Sequence, residues 1–294
     1  MVRRILFALI SLGILTGFVS PAAHAIAPVE TNKNKGLYIA PLRNYIDVNA
    51  GDNLTRAFTV ANRTDQPMTI TTSLEEFSVA DYTYDYRFNK VNNNWLQIVE
   101  KSFTLKPYES REVPYKLALP ATAKPGGYYF TLYASSTAQA GATNATVRAA
   151  SLLYVTVKGN LTHTSEVVDR ALPWIVVSPE INYSLNIKNT GNVHYFGYFE
   201  SAVRGLTYRD APNGSSQLLM PGTIRHIENS IRAPLLPGIY RLEFSYVPDQ
   251  GQRTTGTQYF LYLPPWSIAL LVLLVALSIH FIRQQRRYRR QKLD

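Results

Sequence analysis

The residues of this sequence best suited to recognition chemistry are Tyr82-Thr83-Tyr84-Asp85-Tyr86-Arg87-Phe88, followed after Asn92, Asn93 and Asn94 by Trp95. On an extended strand alternate side chains share a face, so Tyr82, Tyr84 and Tyr86 are expected to present three rings in a row. Flat rings of this kind stack on sugars, with Asp85 and Arg87 beside them for hydroxyl contacts. The expected binding site is therefore Tyr82, Tyr84, Tyr86, Arg87 and Trp95, for a glycan or a protein partner. In a chain with 20 tyrosines, packing of the same face on its own sandwich is the competing reading.

Catalysis finds no comparable support. His24 falls in the N-terminal leader and His280 in an apolar run, and His163, His194 and His226 form no H-E-x-x-H pair. With no cysteine, a thiolate zinc site is impossible. Asp47 with Asp52, or Asp81 with Asp85, supplies oxygens but not the spaced acid run of a calcium loop. Glu75 and Glu76 are adjacent on an expected strand and face opposite ways, so with Glu100 they make a poor hydrolytic acid pair. No P-loop, G-x-G-x-x-G or G-x-S-x-G occurs. No enzyme activity, cofactor or metal is expected.

These residues are carried by short alternating runs of β-branched and aromatic residues between Pro, Gly and Asn clusters. Expected strands include Leu37 to Ala40, Tyr45 to Val48, Leu54 to Ala61, Pro67 to Phe77, Val113 to Leu119, Tyr128 to Ala134 and Ala145 to Val157, with Ser135 to Thr143 as a small-residue loop. Pro114 suggests an edge or a bulge. A second series of about seven strands, among them Ile181 to Lys188, Tyr195 to Val203 and Tyr240 to Tyr246, runs to Leu263.

Markers repeat between the halves. Asn62 after Val60-Ala61 is echoed by Asn189 after Ile187-Lys188, Leu105-Lys106-Pro107 by Leu219-Met220-Pro221, and Pro125-Gly126-Gly127-Tyr128 by Pro237-Gly238-Ile239-Tyr240. Asn is expected to bond its own turn and to tolerate a left-handed backbone there. The expected fold is all-β: two tandem Ig-like β-sandwiches, residues 36–158 and 166–263.

The ends predict topology. Arg3 and Arg4, the apolar run Ile5 to Val19 and the small residues Ala23 and Ala25 make residues 1–25 an expected signal peptide. Trp266 to Ile282 contains no charge, so 264–282 is an expected transmembrane helix. The tail 283–294 carries six basic residues and one acid, which by the positive-inside rule puts the C-terminus in the cytoplasm. Localisation is accordingly expected at the cell membrane, single-pass, with the ectodomain extracytoplasmic. Of the net charge of +10, only about +3 then belongs to the ectodomain, which gives no reason to expect nucleic acid as a partner.

The stretch Trp95 to Tyr133, with Phe103-Thr104-Leu105-Lys106-Pro107 and Pro125-Gly126-Gly127-Tyr128-Tyr129, resembles the first domain of the WxL-interacting proteins of bacterial surfaces. Asn189-Thr190-Gly191-Asn192-Val193-His194 and Met220-Pro221-Gly222-Thr223 resemble the domain that follows it. The resemblance implies a membrane-anchored scaffold that links the membrane to peptidoglycan or another wall polymer, or to a surface protein complex. A membrane-tethered assembly chaperone of the PapD kind, pairing strands at a sheet edge, fits the same turn markers.

Overall fold

The computed structural model describes residues 36–140, 143–171, 174–206, 208–248 and 253–290. The expected signal peptide and the last four residues of the tail lie outside them.

The first sandwich is built from β1 (Leu37–Ala40), β2 (Arg43–Val48), β3 (Asn53–Asn62), β4 (Met68–Val79), β5 (Tyr86–Lys90), β6 (Leu96–Ile98), β7 (Ser102–Leu105), β8 (Ser110–Ala118), β9 (Gly126–Ala140) and β10 (Thr143–Val157). The second comprises β11 (Ser165–Ala171), β12 (Ile175–Val176), β13 (Glu180–Asn189), β14 (Tyr195–Arg204), β15 (Asn213–Leu219), β16 (Ile224–Arg232), β17 (Gly238–Val247) and β18 (Thr254–Tyr262). A single helix, α1 (Pro265–Arg290), ends the described chain. The protein is thus all-β, two tandem Ig-like sandwiches followed by one apolar helix.

The halves share one topology. Sheets β1-β3-β8-β6 and β11-β13-β16 correspond, as do β2-β10-β9-β4-β5 and β12-β18-β17-β14-β15. In each half the first strand changes sheets: β1 is antiparallel to β3 while β2 is parallel to β10, and β11 is antiparallel to β13 while β12 is parallel to β18. The cause lies in the period-two pattern. Leu153, Val155 and Val157 of β10 bury one face against Phe130 and Leu132 of β9 and Val113, Tyr115 and Leu117 of β8. The second core closes likewise around Ile181, Leu185 and Ile187 of β13 with Leu242 and Phe244 of β17. Each fully buried aliphatic contributes about 1.5–3 kcal/mol, the main source of stability in a chain without disulfides.

The repeated Asn and Leu-x-Pro markers prove to be one node. Asn62 and Asn189 are fully buried. Asn62 Nδ2 donates to the Gln66 and Lys106 carbonyls at 2.7 and 3.0 Å, and its Oδ1 accepts from Thr64 N at 2.9 Å. Asn189 Nδ2 donates to Val193 and Leu219 at 2.9 and 3.1 Å, and its Oδ1 accepts from Gly191 N at 2.8 Å. Neither Asn has the left-handed backbone expected of it; among the described non-glycine residues only Tyr82, Tyr84 and Tyr108 do.

Three other expectations change. Ser135 to Ala140 is strand, because it pairs residue by residue with the start of β10. Among its described residues the second half has eight strands, β11 being the one its polar sequence hid. Pro114 sits where β6 stops: Leu96–Ile98 covers β8 only from Tyr115 to Leu117. Pro114 O still accepts from Val99 N at 3.0 Å, but Pro114 has no N–H to return the second bond of that pair, so the ladder ends there.

Candidate functional site: an open strand flank and an aromatic face

Strand β10 is paired with β9 along its whole length, Thr143 to Val157. On its other flank β2 reaches only Leu152 to Val157. Leu152 N donates to Leu42 O and Lys158 N to Val48 O, so the even-numbered residues aim their backbone groups at the β2 side. By the alternation of a strand, Thr146, Arg148 and Ala150 point N–H and C=O to that side, where among the described residues no strand is paired with them. Such an unpaired flank is a template for another strand. The Arg148 side chain itself reaches across the sheet, stacking 3.3 Å from the Tyr133 ring centroid of β9 and pairing with Glu75 of β4 at 2.7 Å.

Beside this flank lies an open trough of about 610 Å³ lined by Leu42, Arg43, Tyr86, Phe88, Ala150 and Leu152. Leu42, Tyr86 and Phe88 are exposed although apolar. The trough continues an aromatic face formed by the outward side of the whole sheet. Tyr45 of β2 stacks on Tyr154 of β10 at 4.7 Å; Tyr154 meets Phe77 of β4 at 5.3 Å and Tyr129 of β9 at 5.7 Å. Phe77 meets Tyr86 of β5 at 5.7 Å, and Tyr86 stacks on Phe88 at 6.1 Å.

The second sandwich covers part of this face. Tyr129 Oη accepts from the His194 backbone N–H at 3.1 Å and lies 3.3 Å from His194 Nδ1. The His194 ring lies 5.1 and 5.7 Å from the Tyr154 and Tyr45 rings. Burial in this aromatic setting lowers the His194 pKa from 6.5 to about 4, and it pushes the Tyr129 phenol up. The Pro-Gly-Gly marker meets the second half here too, with Gly127 N donating to Asn192 O at 2.9 Å and Asn192 Nδ2 to Pro125 O at 3.2 Å. A Cβ on Gly126, whose φ is +148°, would sit 2.8 Å from Asn192 O. Between the sandwiches a cleft of about 400 Å³ is lined by Arg43, Tyr84, Tyr86, Tyr154, Phe196 and Arg225, among others. The Tyr86 phenol beside Arg43 favours its charged form.

Of the residues expected to bind, only Tyr86 and Arg87 are on a strand. Tyr82 and Tyr84 sit in a turn with φ of +65° and +60°, so the three-ring row does not form. Tyr82 N donates to Ile224 O at 2.7 Å, Tyr84 is turned into the second sandwich, and Arg225 lies 4.1 Å over the Tyr84 ring. Trp95 packs on the first core with its ring 4.7 Å from Tyr128, away from the others. Of these five residues only Tyr86 lines both trough and cleft, as Arg43 also does, while Arg87 is exposed on β5. Leu42, Arg43, Ala150 and the open flank escape sequence reasoning. The available signal was a mismatch in length, a four-residue expected strand at Tyr45 to Val48 against thirteen at Ala145 to Val157.

Several of the acids and histidines weighed for chemistry are held by hydrogen bonds that position the fold, whereas the buried Nδ1 of His163 has no hydrogen-bond partner among the described residues. Asp81 Oδ1 accepts from Ile224 N and Asp52 Oδ2 from Asn49 N. Glu76 Oε1 accepts from Asn93 Nδ2, and His226 Nδ1 lies 2.6 Å from Asn186 Oδ1. Among the described residues no three His, Asp or Glu side chains converge as a metal site would require.

No family model matches the chain, and no curated protein is a significant match to it. Among solved structures it is similar to the class 5 fimbriae chaperone CfaA, at 10% identity over 78% of this chain and 100% of that one, with a TM-score of 0.45. It is also similar to a chain of the chaperone-tip adhesin complex of CFA/I fimbriae biogenesis, at 12% identity over 78% and 99%, TM-score 0.41. The CupB2 chaperone of Pseudomonas aeruginosa matches at 7% identity over 76% and 100%, TM-score 0.39. At these scores the likeness carries no argument about function.

Proposed function

We propose that this chain is a membrane-tethered extracytoplasmic module that holds a surface or envelope protein by taking one of its strands onto the open flank of β10. The observation that carries the reading is a run of β10, Thr146, Arg148 and Ala150, that directs backbone donors and acceptors to a side with no strand among the described residues. Main-chain bonds supply affinity in strand addition, and pockets for alternate side chains supply selectivity. The trough of Leu42, Tyr86, Phe88, Ala150 and Leu152 is such a pocket.

The tether rests on α1. Within Pro265–Arg286 an 18-residue stretch has a mean hydropathy of 2.2, and none of that stretch is buried against the protein. Those 18 residues span about 27 Å, close to a hydrocarbon core of about 30 Å. Arg283 and Arg286 at its C-terminal end put that end in the cytoplasm by the positive-inside rule. Assembly chaperone and permanent scaffold differ only in whether the partner leaves. The wall-polymer reading loses the row of three rings expected for it, because Tyr82 and Tyr84 hold the second sandwich instead.

A photo-crosslinking residue placed at Arg148 in the full chain, in native membranes, tests this. One defined protein partner should be captured there and not from Lys116, exposed on the opposite sheet. Equal yields at both positions would remove the case for the flank.

A further inference from the structure

The second sandwich meets the first at one end, through Asn192, Met220 and Thr223, and sends α1 out of the other. That other end is unusually apolar at its surface. Ile175, Leu261 and Ile239 are register partners across β12, β18 and β17, so they form one row on a sheet face, and Ile175 and Ile239 are exposed. Val177 continues this edge beside Leu263, whose N–H donates to Val176 O. The adjoining loops project Leu206 at 103% exposure and Leu235 at 81%, with Leu236 next to it. Both loops belong to the same end, since Arg204 at the close of β14 pairs with Arg241, and Leu235 and Leu236 directly precede β17. Six large apolar side chains gathered at one end of a domain mark a contact surface.

What covers this end follows from the chain itself. Only Leu263 and Pro264 separate β18 from α1, a leash of about 7 Å. Trp266 in the first turn of α1 is an interfacial anchor by type. A helix starting so close holds the end of the sandwich at the level of the lipid headgroups. We infer that Ile175, Val177, Leu206, Leu235, Leu236 and Ile239 dip into the outer face of the bilayer, so that the second sandwich stands on the membrane instead of swinging on its tether. Arg209 and Arg232, exposed at this end, suit the phosphates of phospholipid headgroups. Asp210 and Glu180, the latter the register partner of Arg232, balance them, so the contact depends on apolar burial more than on charge. The consequence is directional: with the lower end fixed on the bilayer, the β10 flank of the first sandwich is held away from it. The inference rests on the tethered reading of α1.

The chain has no cysteine, so single labels are unambiguous. The full chain would be reconstituted in phosphatidylcholine vesicles containing nitroxide-labelled lipid, with an environment-sensitive fluorophore on Leu236→Cys, on Thr255→Cys at the far end of β18, or on Leu273→Cys within α1. The label at 236 should lose most of its emission to headgroup-level nitroxide, the label at 273 to chain-level nitroxide, and the label at 255 to neither. Quenching at 273 with none at 236 overturns the membrane contact and leaves the tether standing. Absence of quenching at 273 overturns both.

Discussion

The Tyr84 hydroxyl, carried by the first sandwich, accepts a hydrogen bond from the Met220 backbone N–H of the second at 2.8 Å, and Thr223 Oγ1 lies 3.2 Å from the same oxygen. Met220 belongs to the Leu-Met-Pro marker, and its side chain packs with Phe77, Val79 and Tyr154 in an apolar cluster that joins the two sandwiches. One tyrosine thus ties the turn before β5 to the end of β15, and it does so with a left-handed backbone. Burial pushes its phenol up, which keeps the hydroxyl neutral.

Tyr84→Phe should leave the Met220 N–H buried without its partner and weaken the junction by about 1–3 kcal/mol. Limited proteolysis of the linker between Lys158 and Thr164 reads this directly, with faster cleavage expected in the variant while each sandwich resists digestion. An unchanged cleavage rate would show that the bond contributes nothing to holding the halves.

Asn62→Ala and Asn189→Ala each empty a fully buried node and orphan two carbonyls and an N–H. About 2–4 kcal/mol of destabilisation is expected in either case. Because the two nodes lie in separate cores, urea unfolding should show Asn62→Ala lowering a transition that Asn189→Ala leaves in place. Asn→Asp should be worse than its size suggests, since a carboxylate cannot donate to the same carbonyls.

The parts of the fold that were legible in the sequence are those set by local pattern. The period-two runs mark β3, β8, β13 and β17, and the repeated Asn, Leu-x-Pro and Pro-Gly markers announce a duplicated sandwich. The candidate site was far less legible, because it depends on pairing across the chain. Nothing local to Ala150 says that β2 will stop two residues short of it. Alternation alone made Tyr82, Tyr84 and Tyr86 a strand face, but Tyr82 and Tyr84 are captured by Ile224 and Met220, residues over 130 positions away. An aromatic face does exist, assembled from Tyr45, Tyr154, Tyr129, Phe77 and Tyr86 on five strands, a grouping no single segment displays.

Acid should loosen the junction through His194. Its pKa is depressed from 6.5 to about 4, chiefly by burial, with Asp47 opposing the shift and His163 adding to it. The neutral ring is the form that burial in the junction favours, so its contribution is complete above pH 6.5. That contribution falls as pH drops from 6.5 towards 4, by about 3 kcal/mol at most. Linker proteolysis at pH 7 and pH 4.5 should show the loss, and His194→Gln should flatten the difference. An equal pH response in the variant would assign the effect to other groups.

Gly126→Ala places a Cβ against Asn192 O at a backbone angle that L residues avoid. A destabilisation of about 1–3 kcal/mol is expected, localised at the junction. Hydrogen exchange at Gly127 N, which donates to the same carbonyl, should speed up, whereas amides in the middle of β17 should keep their protection.

The open flank of β10 is tested most directly by where a proline is tolerated. Ala150 aims its N–H at the uncovered side, so Ala150→Pro should keep the fold and its β9 ladder while removing one donor from the docking flank. The measurement is capture of the partner at the Arg148 crosslinking position in native membranes, compared between the parent chain and Ala150→Pro at matched levels of folded protein. Loss of most of the captured partner in Ala150→Pro is the result expected of strand addition. Undiminished capture would contradict it, because a partner indifferent to that backbone group is not paired with β10.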